Sequence, residues 1–314
     1  MTLDCYPDKA QRPMSTTISD SDREKQSAAG TSVGAALGLT SAKLVAGILT
    51  GSLGILAEAM HSGLDLVAAV ITYVAIRIAN RPADRTHLYG HGKIENLSAL
   101  FEAGLLVVTC LWIGYEAVHR LTSKSTHVEV TWWSFAVIVV SIIVDISRSR
   151  MLRRTAEKHH SQALEADAIH FETDIWSSAV VLFGLVCVSL AHLKPEFDWL
   201  HRADAVAALL VAVIILTVTG KLTLRSVQAL LDAAPDGLEQ KIRDTAMTVP
   251  GIADCHQVRM RYVGARLFAD IHVLVDGNQS MREAHALTEQ VELAIQNAIG
   301  EADVTVHAEP SDAG

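Results

Sequence analysis

Two short motifs each pair a histidine with an aspartate one helical turn later. His61 precedes Asp65, and His170 precedes Asp174. Residues four apart on a helix share one face, with Cβ atoms about 5–6 Å apart. Each motif would therefore present one imidazole and one carboxylate from the same stripe. Two such helices facing each other would supply two nitrogens and two oxygens, enough to complete a tetrahedral zinc site.

Both motifs lie in apolar stretches long enough to span a bilayer. A histidine on an apolar face is commonly a hydrogen-bonded core residue, and this interpretation has to be weighed first. A carboxylate near the bilayer centre, however, costs about 2.5–3.5 kcal/mol on insertion scales. Two such aspartates, each one turn after a histidine, are better explained by function, since ionisable residues inside membranes are usually functional. The four side chains are therefore predicted to bind a metal ion.

Six apolar segments of spanning length follow a polar N-terminal stretch, residues 1–29, which lacks a signal-peptide centre and is expected to be a disordered cytosolic tail. The segments are Thr31–Leu49, Leu53–Ala79, Ile94–Leu121, Trp132–Ile146, Leu164–Leu193 and Ala203–Leu222. Lys43 interrupts the first segment, and we expect its charge to snorkel or to face the bundle interior. Residues 30–231 are thus predicted to form a transmembrane domain, 232–310 a cytoplasmic domain and 311–314 a short tail.

Basic residues are concentrated in alternate connections between these segments. One side has Arg77, Arg81, Arg85, Lys93, Arg148, Arg150, Arg153, Arg154, Lys158, Lys221 and Arg225, whereas the other has only Arg120, Lys124, Lys194 and Arg202. The positive-inside rule then places both termini in the cytoplasm, for a multi-pass protein of the inner (plasma) membrane. The formal charge of −9 argues against a nucleic-acid partner.

After Leu231 the composition becomes that of a soluble domain. Its helical and alternating patterns occur in the order Leu238–Val249, Asp254–Tyr262, Leu267–Val275, Ser280–Ile299 and Asp303–Ala308. This α-β-β-α-β order predicts a small open sandwich with two helices on one face of the sheet. The predicted fold is therefore an all-α six-helix membrane bundle followed by a C-terminal α+β domain of ferredoxin-like or metallochaperone-like type.

The connection between the second and third segments contains three potential metal ligands. These are Asp84, His87 and His91, and glycines on both sides of His91 would allow a tight fold. A polar loop with solvated histidines explains the same residues equally well. Spacing alone leaves the choice open.

Strand alternation gathers a second group of histidines in the soluble domain. Inward-facing Ile271 and Val273 leave His272 on the opposite face of its strand, and His307 and Glu309 share the outward parity of the last strand. His256 and His285 lie on neighbouring elements. Imidazole and carboxylate groups on one open face suit zinc, although ordinary surface histidines remain the alternative.

Taken together, these motifs resemble the cation diffusion facilitator family over almost the whole chain after the polar N-terminal stretch. The resemblance rests on four motifs: His61-x3-Asp65, His170-x3-Asp174, the loop Asp84…His87…Gly90-His91-Gly92-Lys93 and the ending His307-Ala-Glu-Pro310. It implies a homodimer in the lipid bilayer that exchanges divalent cations for protons. His61, Asp65, His170 and Asp174 match the transport site.

The resemblance also implies roles for the other candidate residues. Asp84, His87 and His91 match a loop site of some bacterial members, and His256, His272, His285 and His307 match a binuclear cytoplasmic site. Glu309 stands where those members usually have Asp. Lys93 and Asp232 match a charged pair that holds the membrane halves of the dimer together.

The identity of the ion follows from one departure from the family pattern. His61 stands where the best-known bacterial iron and zinc members have Asp, and members with His there are typically zinc transporters. We therefore expect Zn²⁺ as both cargo and regulator, with a broader range (Fe²⁺, Co²⁺, Cd²⁺, Ni²⁺, Mn²⁺) as an alternative. A non-transporting membrane metal sensor is a second alternative. An intramembrane zinc hydrolase is disfavoured, because a catalytic zinc keeps an open position and the chain has no HExxH motif.

Overall fold

The computed structural model describes residues 20–50, 53–122, 132–191, 200–300 and 302–311. The chain divides into two compact units, with the boundary after Leu224. The described part of the first unit is built of six long helices: α1 (Asp20–Thr50), α2 (Leu53–Ala79), α3 (Lys93–Thr122), α4 (Trp132–His159), α5 (Gln162–Ala191) and α6 (Leu200–Leu230). Only α6 continues past the boundary. Each predicted apolar segment therefore corresponds to one helix.

Four stretches within the described residues are long and apolar enough to cross a membrane. They are Asp20–Leu49, Ala59–Ala79, Lys93–Tyr115 and Leu209–Leu230. Large apolar side chains such as Leu49, Met60 and Trp112 are more than two-thirds exposed on these helices. An apolar exterior of this kind is the one expected of helices that face lipid.

The first helix corrects the predicted N-terminal tail. Residues 20–29 are helical, and only residues 1–19 of that tail lie outside the described part of the chain. The helix extends because this segment has its own burial: Ala28 and Ala29 are in the core, and the Lys25 ammonium is 2.8 Å from a Glu95 carboxylate oxygen. The predicted disorder is therefore wrong for residues 20–29, because a polar composition does not exclude a helix with buried contacts.

The fourth helix corrects the predicted boundary at Ile146. It continues to His159, so the basic residues assigned to the following loop lie on the helix itself: Arg148, Arg150, Arg153, Arg154 and Lys158. The helix continues because its inner face remains apolar, with Leu152 and Ala156 buried. Arg148 is also buried, at 4% exposure. It therefore does not belong among the loop residues to which the positive-inside rule applies.

Small residues determine how closely the membrane helices approach. One buried cluster joins α1, α2, α4 and α5 through Ala28, Ala29, Ile76, Leu152, Ala156, Ala163, Leu164, Ala168 and Phe171. Another joins α3, α5 and α6 through Ala99, Ala103, Leu106, Ala166, Ile169 and Leu222. Alanine lets helix backbones pack closely where lipid supplies no hydrophobic driving force between helices. Helix α5 belongs to both clusters and is the central helix of the unit.

The second unit has the predicted α-β-β-α-β order. Its elements are α7 (Leu238–Met247), β1 (Asp254–Val263), β2 (Arg266–Asp276), α8 (Met281–Ile299) and β3 (Ala302–Ser311). The sheet order is β1-β2-β3, with β1 and β2 antiparallel and β2 and β3 parallel. Inward residues of β2, including Leu267, Ile271 and Val273, pack with Ile242 of α7 and Val291 of α8 in one core. The opposite face of the sheet remains available for polar side chains.

Candidate metal centres

Helices α2 and α5 bring the two predicted histidine–aspartate motifs together. The His170 Nε2 atom lies 3.3 Å from Asp65 Oδ1 and 3.6 Å from Asp174 Oδ2, and His61 Nε2 lies 3.8 Å from Asp174 Oδ1. Ligand atoms of His61, Asp65 and Asp174 all lie within 4.8 Å of one another. Each histidine thus approaches the aspartate of the opposite motif. Small side-chain rotations would aim all four groups at one ion.

These four groups differ in exposure. The side chains of Asp65, His170 and Asp174 are 13%, 9% and 10% exposed, whereas His61 is 45% exposed. Three groups are therefore held in the helix packing while His61 lies toward open space. Carboxylates this deeply placed require a cation or protons as partners, because unpaired charge is expensive at low dielectric.

The loop between α2 and α3 also brings its three predicted ligands together. Asp84 Oδ2 lies 3.5 Å from His91 Nε2, and Asp84 Oδ1 lies 3.4 Å from His87 Nδ1. Gly90 adopts φ +82°, a conformation that favours glycine and lets the chain turn between the two histidines. The three ligand atoms lie within 4.8 Å of one another. The geometry accordingly suits a small exposed metal site.

Asp84 also has a purely structural task in this loop. Its Oδ1 atom accepts hydrogen bonds from the backbone N–H of His87 at 2.7 Å and of Thr86 at 2.8 Å. The His87 N–H, together with Thr86, lowers the pKa of Asp84 from its ordinary value. A turn of this kind forms without metal, so the convergence of Asp84 with the histidines has two physical explanations.

Three histidines form a row across the sheet of the second unit. His256 pairs with His272 in the register of β1 and β2, and His272 pairs with His307 in that of β2 and β3. Glu309 joins them, with its carboxylate 2.8 Å from His272 Nδ1, 3.2 Å from His256 Nε2 and 3.7 Å from His307 Nε2. The hydrogen bond with His272 is the main cause that lowers the pKa of Glu309. Strand parity correctly predicted this grouping.

His285 is not part of that row. It lies on α8, where its Nε2 atom is 3.7 Å from Glu289 one turn further along the helix. The ligand atoms that converge within 4.8 Å are those of His256, His272 and Glu309. The reason is geometric: α8 packs on the apolar face of the sheet, whereas the histidine row lies on the other face.

The predicted charged pair of Lys93 and Asp232 stays a prediction. Lys93 is the first residue of α3 in the first unit. Asp232 belongs to the second unit, where its carboxylate lies 3.6 Å from Arg261.

Sequence reasoning missed a group of buried charges in the membrane unit. Arg148 lies 3.6 Å from Asp145 and donates to the Ser32 hydroxyl at 3.0 Å, and that hydroxyl lies 3.4 Å from Asp167. The guanidinium also stacks 3.5 Å above the ring of Phe171, the neighbour of His170. The spacing of Asp145 and Arg148, three residues apart on a helix, was the available signal. The sequence pattern ends the fourth segment at Ile146 and places Arg148 in a loop, so it does not pair the two residues.

Comparisons with known proteins agree with this division of the chain. The family model described as the cation efflux transmembrane domain matches residues 31–231, and that of the cation efflux protein cytoplasmic domain matches residues 234–311. The cation-efflux pump FieF of Shewanella oneidensis is 34% identical over 280 residues, which is 89% of this chain and 92% of that protein. FieF of Salmonella arizonae is 32% identical over 276 residues, covering 88% and 89% of the two chains.

Among solved structures, a variant of the MamM CTD is 29% identical, with 24% of this chain and 98% of that one covered and a TM-score of 0.24. A nickel form of another MamM CTD variant is 28% identical, covers 25% and 100%, and has the same TM-score of 0.24. The two family models and the long FieF alignments decide the assignment. This chain belongs to the cation efflux, or cation diffusion facilitator, family of membrane transporters.

Proposed function

We propose that this chain exports divalent metal cations, chiefly Zn²⁺, across the inner membrane in exchange for protons. The observation that carries the proposal is the convergence of His61, Asp65, His170 and Asp174 between α2 and α5. Their donor set of two nitrogens and two oxygens suits zinc, which accepts a tetrahedral arrangement of such ligands. The FieF relatives are themselves named cation-efflux pumps.

Proton exchange follows from the chemistry of the same ligands. An imidazole must be deprotonated to bind a metal, so metal binding releases protons and affinity depends on pH. The unperturbed pKa of histidine, about 6.5, places this competition near physiological pH. In alternating access, the site facing the cytoplasm captures the ion, and protons displace the ion when the site faces outward. Two carboxylates in a buried site favour either the ion or the protons over an empty state.

The cytoplasmic histidine row is proposed as a regulatory zinc site. His256, His272, His307 and Glu309 lie together on one face of the sheet, whereas His285 lies on α8, beside Glu289. In a homodimer, zinc bound there would draw the two cytoplasmic domains together and bias the membrane bundles as cytosolic zinc rises. Lys93 and Asp232 would hold the membrane halves together, and Asp84, His87 and His91 would form an accessory loop site. Both termini would face the cytoplasm.

Zinc flux into proteoliposomes tests this function directly. The purified chain is reconstituted with a zinc-sensitive dye inside, and flux is measured with and without a pH gradient. We expect zinc uptake that increases with an outward proton gradient and that an equal concentration of Co²⁺ or Cd²⁺ reduces by less than half. Zinc binding without flux would contradict the transporter proposal and favour a membrane metal sensor. A zinc flux that does not change with the pH gradient would contradict the proposed exchange of zinc for protons.

A further inference from the structure

Helix α1 has none of the proposed metal ligands, yet it forms hydrogen bonds with Ser62, between the two ligands of α2. The Lys43 ammonium donates a hydrogen bond to the Ser62 hydroxyl at 2.7 Å. The Thr40 hydroxyl donates to the backbone carbonyl oxygen of Ser62 at 2.9 Å. Ser62 directly follows His61 and precedes Asp65 by three residues. Two donors from one helix thus hold the turn of α2 that bears half of the ligands.

Burying the charged group of this contact costs the folded protein free energy. Lys43 and Ser62 are each only 4% exposed. A lysine inside a spanning helix is costly, by up to about 2.5–3.5 kcal/mol on insertion scales at the helix centre, so intramembrane lysines mark function more often than packing. The ammonium does not snorkel to the membrane surface, because it is hydrogen-bonded between two helices. An apolar residue would pack at this position without that penalty.

The contact also matters for the exposed histidine of this turn, His61. Its side chain is 45% exposed and lies 3.8 Å from Asp174, whereas the buried His170 lies 3.3 Å from Asp65. The backbone of His61 moves with any rotation of α2, as that of Asp65 does. Metal ligands must lie within about 0.5 Å of productive geometry. Anchoring Ser62 limits the rotation of α2 at the point where an error would move His61 and Asp65 together.

We propose that Lys43 is a positioning residue of the transport site, acting through Ser62 to fix the ligand turn of α2. This inference rests on the proposed transport function. Lys43 has a second physical effect of opposite sign, since a fixed positive charge near the site repels a divalent cation. If charge were its main contribution, removing Lys43 would tighten zinc binding. If positioning dominates, removing it weakens binding. The sign of the change in affinity separates the two.

The test is the zinc KM and maximal rate of the full chain in proteoliposomes, for Lys43→Met, Lys43→Arg and Ser62→Ala. We expect Lys43→Met and Ser62→Ala each to raise the KM about tenfold, the lower end of the effect of removing a residue that orients a metal ligand. Lys43→Arg retains a donor and is expected to restore most of the affinity. The maximal rate should change far less than the KM.

Lys25→Met is the matched control. Lys25 is also a buried lysine of α1, at 6% exposure, but it bonds to Glu95 and Asn80, far along the helix from Ser62. We expect this variant to lower thermal stability while leaving the zinc KM unchanged. If Lys43→Met fails to fold, Ser62→Ala still decides the question, since it removes only a hydroxyl.

Two results would overturn the inference: an unchanged KM in both Lys43→Met and Ser62→Ala, or a lowered KM in Lys43→Met. Either result, obtained beside normal wild-type flux, leaves the transport function intact. Absence of zinc flux in the wild type would instead refute the proposed function, and this inference with it.

Discussion

The membrane cluster and the cytoplasmic cluster use the same kinds of ligand in opposite settings. In the membrane unit, Asp65, His170 and Asp174 have side chains at most 13% exposed. In the cytoplasmic unit, the side chains of His272 and Glu309 are 20% and 34% exposed. Water can solvate the second group without metal but has little access to the first. The buried groups of the membrane cluster should therefore depend more on a bound cation or on protons than the cytoplasmic cluster does.

The two clusters also differ in what holds them together. The cytoplasmic residues lie opposite one another on hydrogen-bonded strands, so their proximity follows from the register of a sheet. The membrane residues lie on helices that are far apart in sequence, so their proximity depends on helix packing. A cluster built on packed helices can separate when the helices move, whereas neighbouring strands remain together. This difference fits the proposed roles of the membrane cluster as a carrier site and of the cytoplasmic cluster as a regulatory site.

Breaking the membrane cluster is expected to have the largest effect. Asp174 contacts both histidines, so Asp174→Asn should reduce zinc flux in proteoliposomes to the level of protein-free liposomes. Glu172→Gln on the same helix is the matched control, because Glu172 forms its ion pair with Arg153 at 2.5 Å, outside the cluster. We expect that variant to retain most of the flux. Near-normal flux in Asp174→Asn would contradict the assigned site.

Substitutions in the cytoplasmic cluster should reduce zinc flux less than substitutions in the membrane cluster. His272→Ala removes the central residue of the row and is expected to weaken zinc binding there by at least about tenfold. Flux at saturating zinc should persist, since the transport ligands are untouched. Zinc titration calorimetry of the full chain, combined with the flux assay, measures both quantities. Thr305→Ala, two residues before His307 on β3, is the control and should change neither. Complete loss of flux in His272→Ala would show that the two clusters are not separable.

The pH dependence of stability sharpens the contrast further. The pKa of Glu309 is lowered in the folded state, chiefly by its hydrogen bond with His272. Its charged form therefore stabilises the fold above the ordinary glutamate pKa of 4.5, and this contribution is lost as the pH falls through the lower folded pKa. At pH 7 without metal, Glu309→Gln should lower the unfolding midpoint of the full chain slightly. The difference from wild type should shrink as the pH is brought below 4.5; a constant difference would contradict this account.

Substitutions at the loop site should change zinc flux less than substitutions in the two clusters. His87 is 57% exposed at its side chain, and the turn is already formed by hydrogen bonds to Asp84. We expect His87→Ala to leave zinc flux within about twofold of wild type, as for surface substitutions that shift free energies by less than about 0.5 kcal/mol. A large loss of flux in the proteoliposome assay would assign the loop a direct part in transport.

Sequence periodicity predicted most of this architecture because its signals are local. A spacing of four residues placed His61 beside Asp65, and alternation placed His272 and His307 on one face. The errors arose where tertiary contacts override composition. Residues 20–29 are polar but helical because Lys25 has a buried partner, and α4 continues past Ile146 because its inner face remains apolar.

The supporting contacts of the site could not be predicted in the same way. The hydrogen bond from Lys43 to Ser62 joins two helices at a point that no periodicity specifies. The same holds for the contact of Arg148 with Ser32, which joins residues 116 positions apart in the chain. Patterns in one dimension identify which face a residue occupies. They do not identify which residue of another helix it meets.

The central claim is that the side chains of α2 and α5 share a single cation. Anomalous diffraction at the zinc edge, from crystals of the full chain grown with zinc, tests it most directly. We expect an anomalous peak between α2 and α5, about 2.0–2.2 Å from one ligand atom each of His61, Asp65, His170 and Asp174. Crystals with zinc at the cytoplasmic row but no peak between these helices, or a peak bonded to the residues of only one helix, would contradict the claim.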